Sequence, residues 1–362
     1  MDKKRYSHID LLEAIAIFFV ILYHVGIYSV DFLKDPSTLI YIRFFFRPIL
    51  ATCVPLFFFS NGYLLLKKDF SLKKHLMKLL RIVVLTLFWG FVGAELSALA
   101  ARETVSVKNI WGEFIDMSHK WDLHIFWFMG ALAELYILFP ALKALYDMHK
   151  KAFLFLTLAC LFFVSVLPMI NRAQMLVCIF LDRSPVDIEV PLLEIFNPFQ
   201  GTYDYALFYF CAGGLLHHVE SRILAVPVVK RNIISIVGIV LSCSYLFCEG
   251  IAYSRIYQDV IDMVWSNYAS FPTFVCVVCL YILSLNYTVD NRFIRFISSN
   301  TMGIYFTHFI FIHITRPQLP NGGFYNSVCF AILYTFLIEG LCLVVCYVLR
   351  KLRFTRVLVS LS

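Results

Sequence analysis

Charged residues are scarce in this sequence. Only 15% of the 362 residues are charged, whereas 60% are hydrophobic. A soluble domain is about a quarter charged and about half apolar, so this chain has more apolar surface than a water-soluble core can bury. Lipid is the solvent in which such a chain is stable. The composition therefore excludes a soluble enzyme or binding module and predicts an integral membrane protein.

Several other features are missing. The 11 cysteines lie mostly within apolar runs, where a thiol behaves as a small hydrophobe, so no disulfide framework is expected. Cys276 and Cys279 form a CxxC, but no second pair lies nearby, as a zinc site would require. We therefore expect no metal, and the modest net charge of +7 gives no reason to expect a nucleic-acid partner. No small-residue cleavage site follows the first apolar run, so we expect the first helix to be retained.

The apolar runs predict the architecture. A bilayer-spanning helix needs about 20 mostly apolar residues. By this criterion the predicted spans are 9–29, 40–65, 79–100, 124–145, 151–170, 203–218, 231–248, 268–285, 297–315 and 326–349. The segment 175–181 is also apolar, which leaves the connection between the fifth and sixth spans open. The predicted fold is an all-α polytopic bundle of about ten transmembrane helices. No soluble domain remains, so residues 1–362 are expected to form a single membrane domain with a short cytoplasmic tail, 350–362.

The distribution of charge predicts the orientation of these helices. If the N-terminus is cytoplasmic, most of the 31 basic residues fall on the cytoplasmic side, including those in 3–5, 67–81 and 350–356. The loops on the opposite side are acidic, as in 182–194 and 249–262. An excess of Lys and Arg in cytoplasmic loops is the usual pattern of membrane proteins. It predicts that both termini are cytoplasmic, which requires an even number of spans.

The first span carries ionisable residues, which are costly in a bilayer and therefore indicate function. Asp10, Glu13 and His24 fall on nearly the same face of the predicted helix. Because Glu13 precedes His24 by 11 residues, about 16 Å of helix separates them, too far to share a proton directly. The alternative is a packing stripe in which His24 is hydrogen-bonded to a neighbouring helix. We favour the functional interpretation, because each unneeded polar group is expensive in lipid.

Other polar or amphipathic residues are expected near the height of His24, in the outer third of the membrane: His308, Arg43, Arg47, His124 and Trp127. Snorkelling of long side chains explains Arg43 and His124 without a function. The segment Lys67–Arg81 is the densest basic stretch. Its charge alone favours topology determination or contact with anionic lipid. The functional alternative is a clamp for the phosphates of a nucleotide-bearing donor.

Five motifs resemble those of the acyltransferase-3 family of membrane acyltransferases. His8–His24 looks like the family's opening helix, and Pro55-Leu-Phe-Phe-Phe-Ser-Asn-Gly-Tyr63 resembles its phenylalanine-rich run ending in Ser-Gly-Tyr. Lys78-Leu-Leu-Arg81 is similar to the family's RxxR, and His124-Ile-Phe-Trp-Phe128 to its tryptophan–phenylalanine helix. Ser299–His308 is similar to the late segment ending in Tyr-x-x-His. The motifs follow one another in the family's order between residues 5 and 350.

The resemblance implies transfer of an acyl group, usually acetyl, from acyl-coenzyme A to a carbohydrate hydroxyl, in the bacterial cytoplasmic membrane. Acyl-coenzyme A is then a donor substrate, and no permanently bound cofactor is expected. His24 would be the catalytic base, with His308 in the inner site. The residues expected to bind the donor are Lys78, Arg81, Ser60, Asn61 and Tyr63. Those expected to bind the acceptor are Arg43, Arg47, His124, Trp127 and Tyr305.

The sequence departs from the family pattern at three positions. Glu13 stands where the family has arginine, Lys78 replaces the first arginine of RxxR, and Asn61 is inserted before Gly62. Lysine lacks the bidentate phosphate contacts of arginine. An exporter of glycan or lipid-linked sugar is therefore an alternative, since inward polar groups near mid-membrane suit a transporter as well. A catalytically impaired relative is another, because Glu13 reverses the charge. Direct transfer and transfer through an acylated residue are both compatible with these residues.

Overall fold

The computed structural model describes residues 5–26, 29–100, 126–181, 193–199, 201, 203–320, 322–352 and 355–359. Within these ranges all regular structure is helical and no strand occurs, which confirms the predicted all-α class. Among the described residues, seven helical segments are long and apolar enough to cross a membrane: Ser7–Val25, Thr38–Leu65, Leu72–Gly93, Trp127–Met148, Lys150–Val177, Val228–Tyr257 and Val328–Lys351.

The helices occupy most of the described chain. In order they are α1 (Ser7–Val25), α2 (Thr38–Phe46), α3 (Cys53–Leu65), α4 (Leu72–Ala100), α5 (Trp127–Met148), α6 (Lys150–Cys160), α7 (Leu167–Phe180), α8 (Asp204–Leu224), α9 (Val228–Tyr257), α10 (Phe271–Ser284), α11 (Arg292–Thr315) and α12 (Val328–Lys351). A 3₁₀ turn, Arg47–Thr52, joins α2 to α3, and a π-helical turn, Leu161–Val166, joins α6 to α7. Shorter 3₁₀ turns are Glu194–Phe196, Trp265–Asn267, Arg316–Gln318, Gly323–Asn326 and Arg356–Val359.

Side chains cap several of the helices where the sequence provides them. Ser270 accepts from the N–H of Thr273 at the start of α10, and Ser327 accepts from Phe330 at the start of α12. Asn291 accepts from Phe293 and Ile294 at the start of α11. These oxygens satisfy N–H groups that have no partner within a helix, which fixes where each helix begins.

Several helix boundaries differ from the predicted spans, and two of these differences are instructive. The helix α4 begins at Leu72 rather than at 79, so Lys73, Lys74 and Lys78 lie on its first turns and not in a loop. Hydropathy detects only the lipid-embedded part of a helix, and this helix continues beyond it. The predicted span 151–170 continues without a break through the π turn to Phe180, so the apolar segment 175–181 belongs to the same helical rod.

The chain divides into two compact units. The first comprises Met1–Leu12, Ser29–Lys68 and Leu142–Val289. In this unit α3 and α8 cross closely, and a Cβ added to Gly62 would lie 1.8 Å from the carbonyl oxygen of Phe210. Only glycine allows the backbones to approach this closely. A second cluster of the unit, with Phe44 and Met263 at its centre, packs α2 against α9 and the chain that precedes α10.

The second unit comprises Glu13–Tyr28, Asp69–Ala141 and Asp290–Ser362. In this unit α11 and α12 run antiparallel, and a Cβ added to Gly303 would lie 2.5 Å from the sulfur of Cys346. The end of the chain packs onto the same helices. Val359 is fully buried, and the indole Nε1 of Trp89 donates to the carbonyl oxygen of Leu358 at 2.8 Å.

Candidate functional site

Two histidines lie side by side in the second unit. His24, near the end of α1, and His308, within α11, have ring centroids 5.6 Å apart. Phe309 packs against both imidazoles, with centroid distances of 4.3 Å to His24 and 4.5 Å to His308. Tyr23 covers His24 from its own helix at 4.8 Å. Aromatic contacts therefore hold the two imidazole rings in place.

The hydrogen bonds of His308 define its tautomer. Its Nδ1 lies 2.6 Å from the carbonyl oxygen of Tyr305 and 3.2 Å from that of Ile304. A carbonyl oxygen can only accept, so Nδ1 must carry the proton. The other nitrogen, Nε2, is then an acceptor, and it is buried with no hydrogen-bond partner among the described residues. A fully buried, unpartnered acceptor next to a second imidazole is a place where a substrate proton can be received.

Aromatic residues position the helix segment before His308. Tyr305 lies 5.3 Å from Phe128 and 5.8 Å from His308 between ring centroids. Trp127, at the start of α5, is partly buried and adjoins Phe128. Of the residues predicted for the acceptor side, Trp127 and Tyr305 thus share the second unit with the histidines. His124 falls outside the described residues.

Glu13 has a partner on the other helix of the pair. Its Oε2 accepts a hydrogen bond of 2.6 Å from the hydroxyl of Ser298. Further along, His24 meets His308, and the carbonyl oxygen of Gly26 accepts from Arg316 at 3.5 Å. These contacts occur in the same order on both segments, so α1 and α11 run in the same direction. Glu13 and His24 therefore lie at separate levels of this pair.

The predicted donor residues Ser60, Asn61 and Tyr63 lie on α3 in the first unit. The amide of Asn61 donates to the carbonyl oxygen of Phe57 at 2.9 Å, and the hydroxyl of Tyr63 donates to Glu220 at 2.5 Å. Both polar groups are thus engaged within the protein. Ser60 is fully buried, and its hydroxyl has no partner among the described residues. Arg43 and Arg47 also belong to the first unit, and both are partly buried.

Lys78 and Arg81 lie on the first turns of α4, in the second unit, and both are partly exposed. They are three positions apart in the sequence, so they are neighbours on one helix face. The adjoining face is anchored by His75, which stacks on Tyr136 at a centroid distance of 5.0 Å and on Phe139 at 5.2 Å. The helix α4 therefore presents these two cations from a fixed surface.

A polar cluster in the first unit has no counterpart in the sequence predictions. The hydroxyls of Tyr63 and Tyr281 both donate to Oε2 of Glu220, at 2.5 and 2.8 Å. The ammonium of Lys67 lies 3.6 Å from the centroid of the Tyr63 ring, and the ring of His8 lies 5.6 Å from it. The cluster forms where α1 begins and where α3, α8 and α10 end. Its members are far apart in the sequence, and only the polar residues at the helix ends hinted at it.

The described residues contain no group of three or more His, Cys, Asp or Glu side chains able to hold a metal ion. Composition and apolar helices define a multi-pass membrane protein. The chain belongs to the acyltransferase-3 family, because the family model described as an acyltransferase domain matches residues 6–350. It is accordingly a membrane acyltransferase. Comparison with curated proteins found no match, and comparison with solved structures found none either.

Proposed function

We propose that this acyltransferase moves an acyl group, in particular acetyl, from acyl-coenzyme A to a hydroxyl of a cell-surface or exported carbohydrate. The observation that carries the proposal is the pairing of His24 with His308, whose buried Nε2 has no hydrogen-bond partner in the described part of the chain. Acyl transfer to a hydroxyl needs an unprotonated base to receive the hydroxyl proton, and a neutral imidazole suits this task.

In the proposed reaction His24 takes the proton of the acceptor hydroxyl as its oxygen attacks the thioester carbonyl. The carbon–sulfur bond then breaks, and protonated His24 returns the proton to the leaving thiolate. The products are an ester and free coenzyme A. The fixed tautomer of His308 supplies a second proton acceptor next to His24, which helps to orient the hydroxyl.

The donor and the acceptor are assigned to different residues. We assign the phosphates of the donor to Lys78 and Arg81, which lie on one face of α4 near its start. Ser60, Asn61 and Tyr63 are assigned to the donor-side wall. For the acceptor we assign Tyr305 and Trp127, which lie in the same unit as the histidines, together with Arg43, Arg47 and His124. Glu13 keeps a supporting role, because its carboxylate is hydrogen-bonded to Ser298.

The proposed topology has ten spans, both termini in the cytoplasm and a location in the bacterial cytoplasmic membrane. The basic residues at 3–5, 67–81 and 350–356 then face the cytoplasm, where acyl-coenzyme A is available. Beyond the seven long helices, the proposal requires α8, α10 and α11 to cross the bilayer as well.

The test compares His24→Ala with wild type and with His313→Ala. His313 lies on α11 like His308 but is exposed, so it controls for the loss of an imidazole. O-acetyl content of surface glycan, and coenzyme A released by purified protein, are measured for all three. Loss of a general base lowers transfer about 10²–10⁴-fold, so we expect only His24→Ala to be inactive. Equal acetylation in His24→Ala and wild type would overturn the catalytic role.

A further inference from the structure

A cavity of about 640 Å³ lies in the first unit, away from every residue predicted from the sequence. Its walls come from the second half of the α6–α7 rod, from Asp204 at the start of α8, and from Ser266 and Ala269 before α10. Small-molecule sites usually measure about 300–1,000 Å³. The cavity therefore has the size of a ligand site.

The backbone around the cavity is shaped by a proline. Pro168 has no N–H, and its ring clashes with the carbonyl four residues earlier in a regular α-helix. The π turn Leu161–Val166 precedes it, and the N–H of Leu167 reaches the carbonyl oxygen of Phe162, five residues back. Such wide turns are frequent at functional sites. Here the wide turn and Pro168 contribute directly to the wall, since Phe163, Val164 and Pro168 line the cavity.

Arg172 is the cation in the cavity wall, and buried partners hold it in place. Nη1 of Arg172 lies 3.5 Å from Oε2 of Glu249, which is only 3% exposed, and donates to Oδ1 of Asn267 at 3.2 Å. The hydroxyl of Tyr253 donates to the Arg172 carbonyl oxygen at 3.3 Å. A guanidinium fixed by groups behind the wall is pre-organised for a ligand in front of it.

The remaining wall offers both donors and acceptors. It includes the amides of Asn171, Gln174 and Asn197, and the carboxylates of Glu194 and Asp204. The amide oxygens of Asn171 and Gln174 are buried without a hydrogen-bond partner among the described residues. Leaving such groups unpaired is unfavourable, so a ligand that donates hydrogen bonds to them is favoured.

The geometry points to a binding site for a polyhydroxylated ligand, a mono- or disaccharide. A hydroxyl both donates and accepts, as this wall requires, and Phe163 supplies an apolar surface for a sugar ring. A lipid chain would leave the amides unpaired, and a phosphate would face Glu194 and Asp204. The cavity lies about 31 Å along the helix from Lys150, which places it at the outer face in the proposed topology.

Binding is tested with full-length protein in lipid nanodiscs, because sugar-headed detergents would compete. The probes are glucose, N-acetylglucosamine and its disaccharide chitobiose, followed by saturation-transfer NMR, with cyclohexanol as the control that lacks the array of hydroxyls. We expect saturable binding of at least one sugar and none of cyclohexanol. Ala269→Phe, which fills the cavity, and Asn171→Leu, which removes a polar group, should each weaken binding at least tenfold.

Asn232→Leu is the matched control, since Asn232 bonds to Asn286 beyond the opposite end of α10 and lies outside the cavity wall. It should bind the sugars like wild type. The proposal is overturned if wild type binds none of the three sugars, or if Ala269→Phe and Asn171→Leu bind them unchanged. His24→Ala should bind them normally while failing to transfer. Sugar binding by wild type without any acyl transfer would refute the proposed function alone and leave the cavity assignment intact.

Discussion

The crossing of α3 and α8 makes a quantitative prediction for Gly62→Ala. The added Cβ would lie 1.8 Å from the carbonyl oxygen of Phe210 and 2.7 Å from its carbonyl carbon. Carbon atoms in contact normally lie about 3.5–4.0 Å apart, so the two helices must separate by about 1.5 Å. The clash is with backbone, which cannot rotate away. Overpacking costs about 1–3 kcal/mol, and we expect the upper end of that range.

Gly340→Ala is the control for this substitution. Gly340 also lies within a helix, α12, but nothing lies within 4 Å of its added Cβ. Replacing a helical glycine by alanine stabilises a helix by about 0.5–1 kcal/mol, so this variant should be slightly more stable than wild type. Thermal unfolding in nanodiscs measures both. Gly62→Ala unfolding at or above the temperature of wild type would refute the close approach of α3 and α8.

Gly62→Ala should also reduce acyl transfer, because Tyr63 follows it directly and bonds to Glu220 on α8. Separate predictions concern the second unit. His308→Phe keeps a ring but removes Nε2, and we expect at least a tenfold loss of transfer in a coenzyme A release assay, with no loss in His313→Phe. Lys78→Arg should lower the KM for acetyl-coenzyme A, because arginine contacts phosphate in a bidentate way. Arg81→Ala should raise that KM, and an unchanged KM in both variants would remove this pair from the donor site.

The helical class follows from the sequence because long apolar runs have few other stable structures in lipid. The boundaries of the helices are harder to predict from the sequence. The helix α4 begins at Leu72 because its lysine-rich first turns are good helix formers outside the hydrocarbon, where hydropathy gives no signal. The π turn at Leu161–Val166 was not predicted, although Pro168 within an apolar run was a visible sign that a regular helix could not continue there.

The site residues show a similar limit. That His24 carries chemistry was a prediction from the cost of polar groups in lipid, but the tautomer of His308 depends on backbone atoms of its own helix. The partner of Glu13, Ser298, lies 285 positions away. Glu220 gave no signal at all, since its importance comes from tyrosines on two other helices. Contacts between distant segments are set by tertiary packing, which spacing along the chain does not encode.

Because α1 and α11 run parallel, Glu13 and the histidine pair lie at different levels of the two helices. Glu13 bonds to Ser298, whereas His24 is positioned by Tyr23, Phe309 and His308, about 16 Å further along the helix. Orientation of the histidine pair therefore needs no cation at position 13. The hydrogen bond to Ser298 gives Glu13 a local role in joining α1 to α11, at a different level of this helix pair from the two histidines.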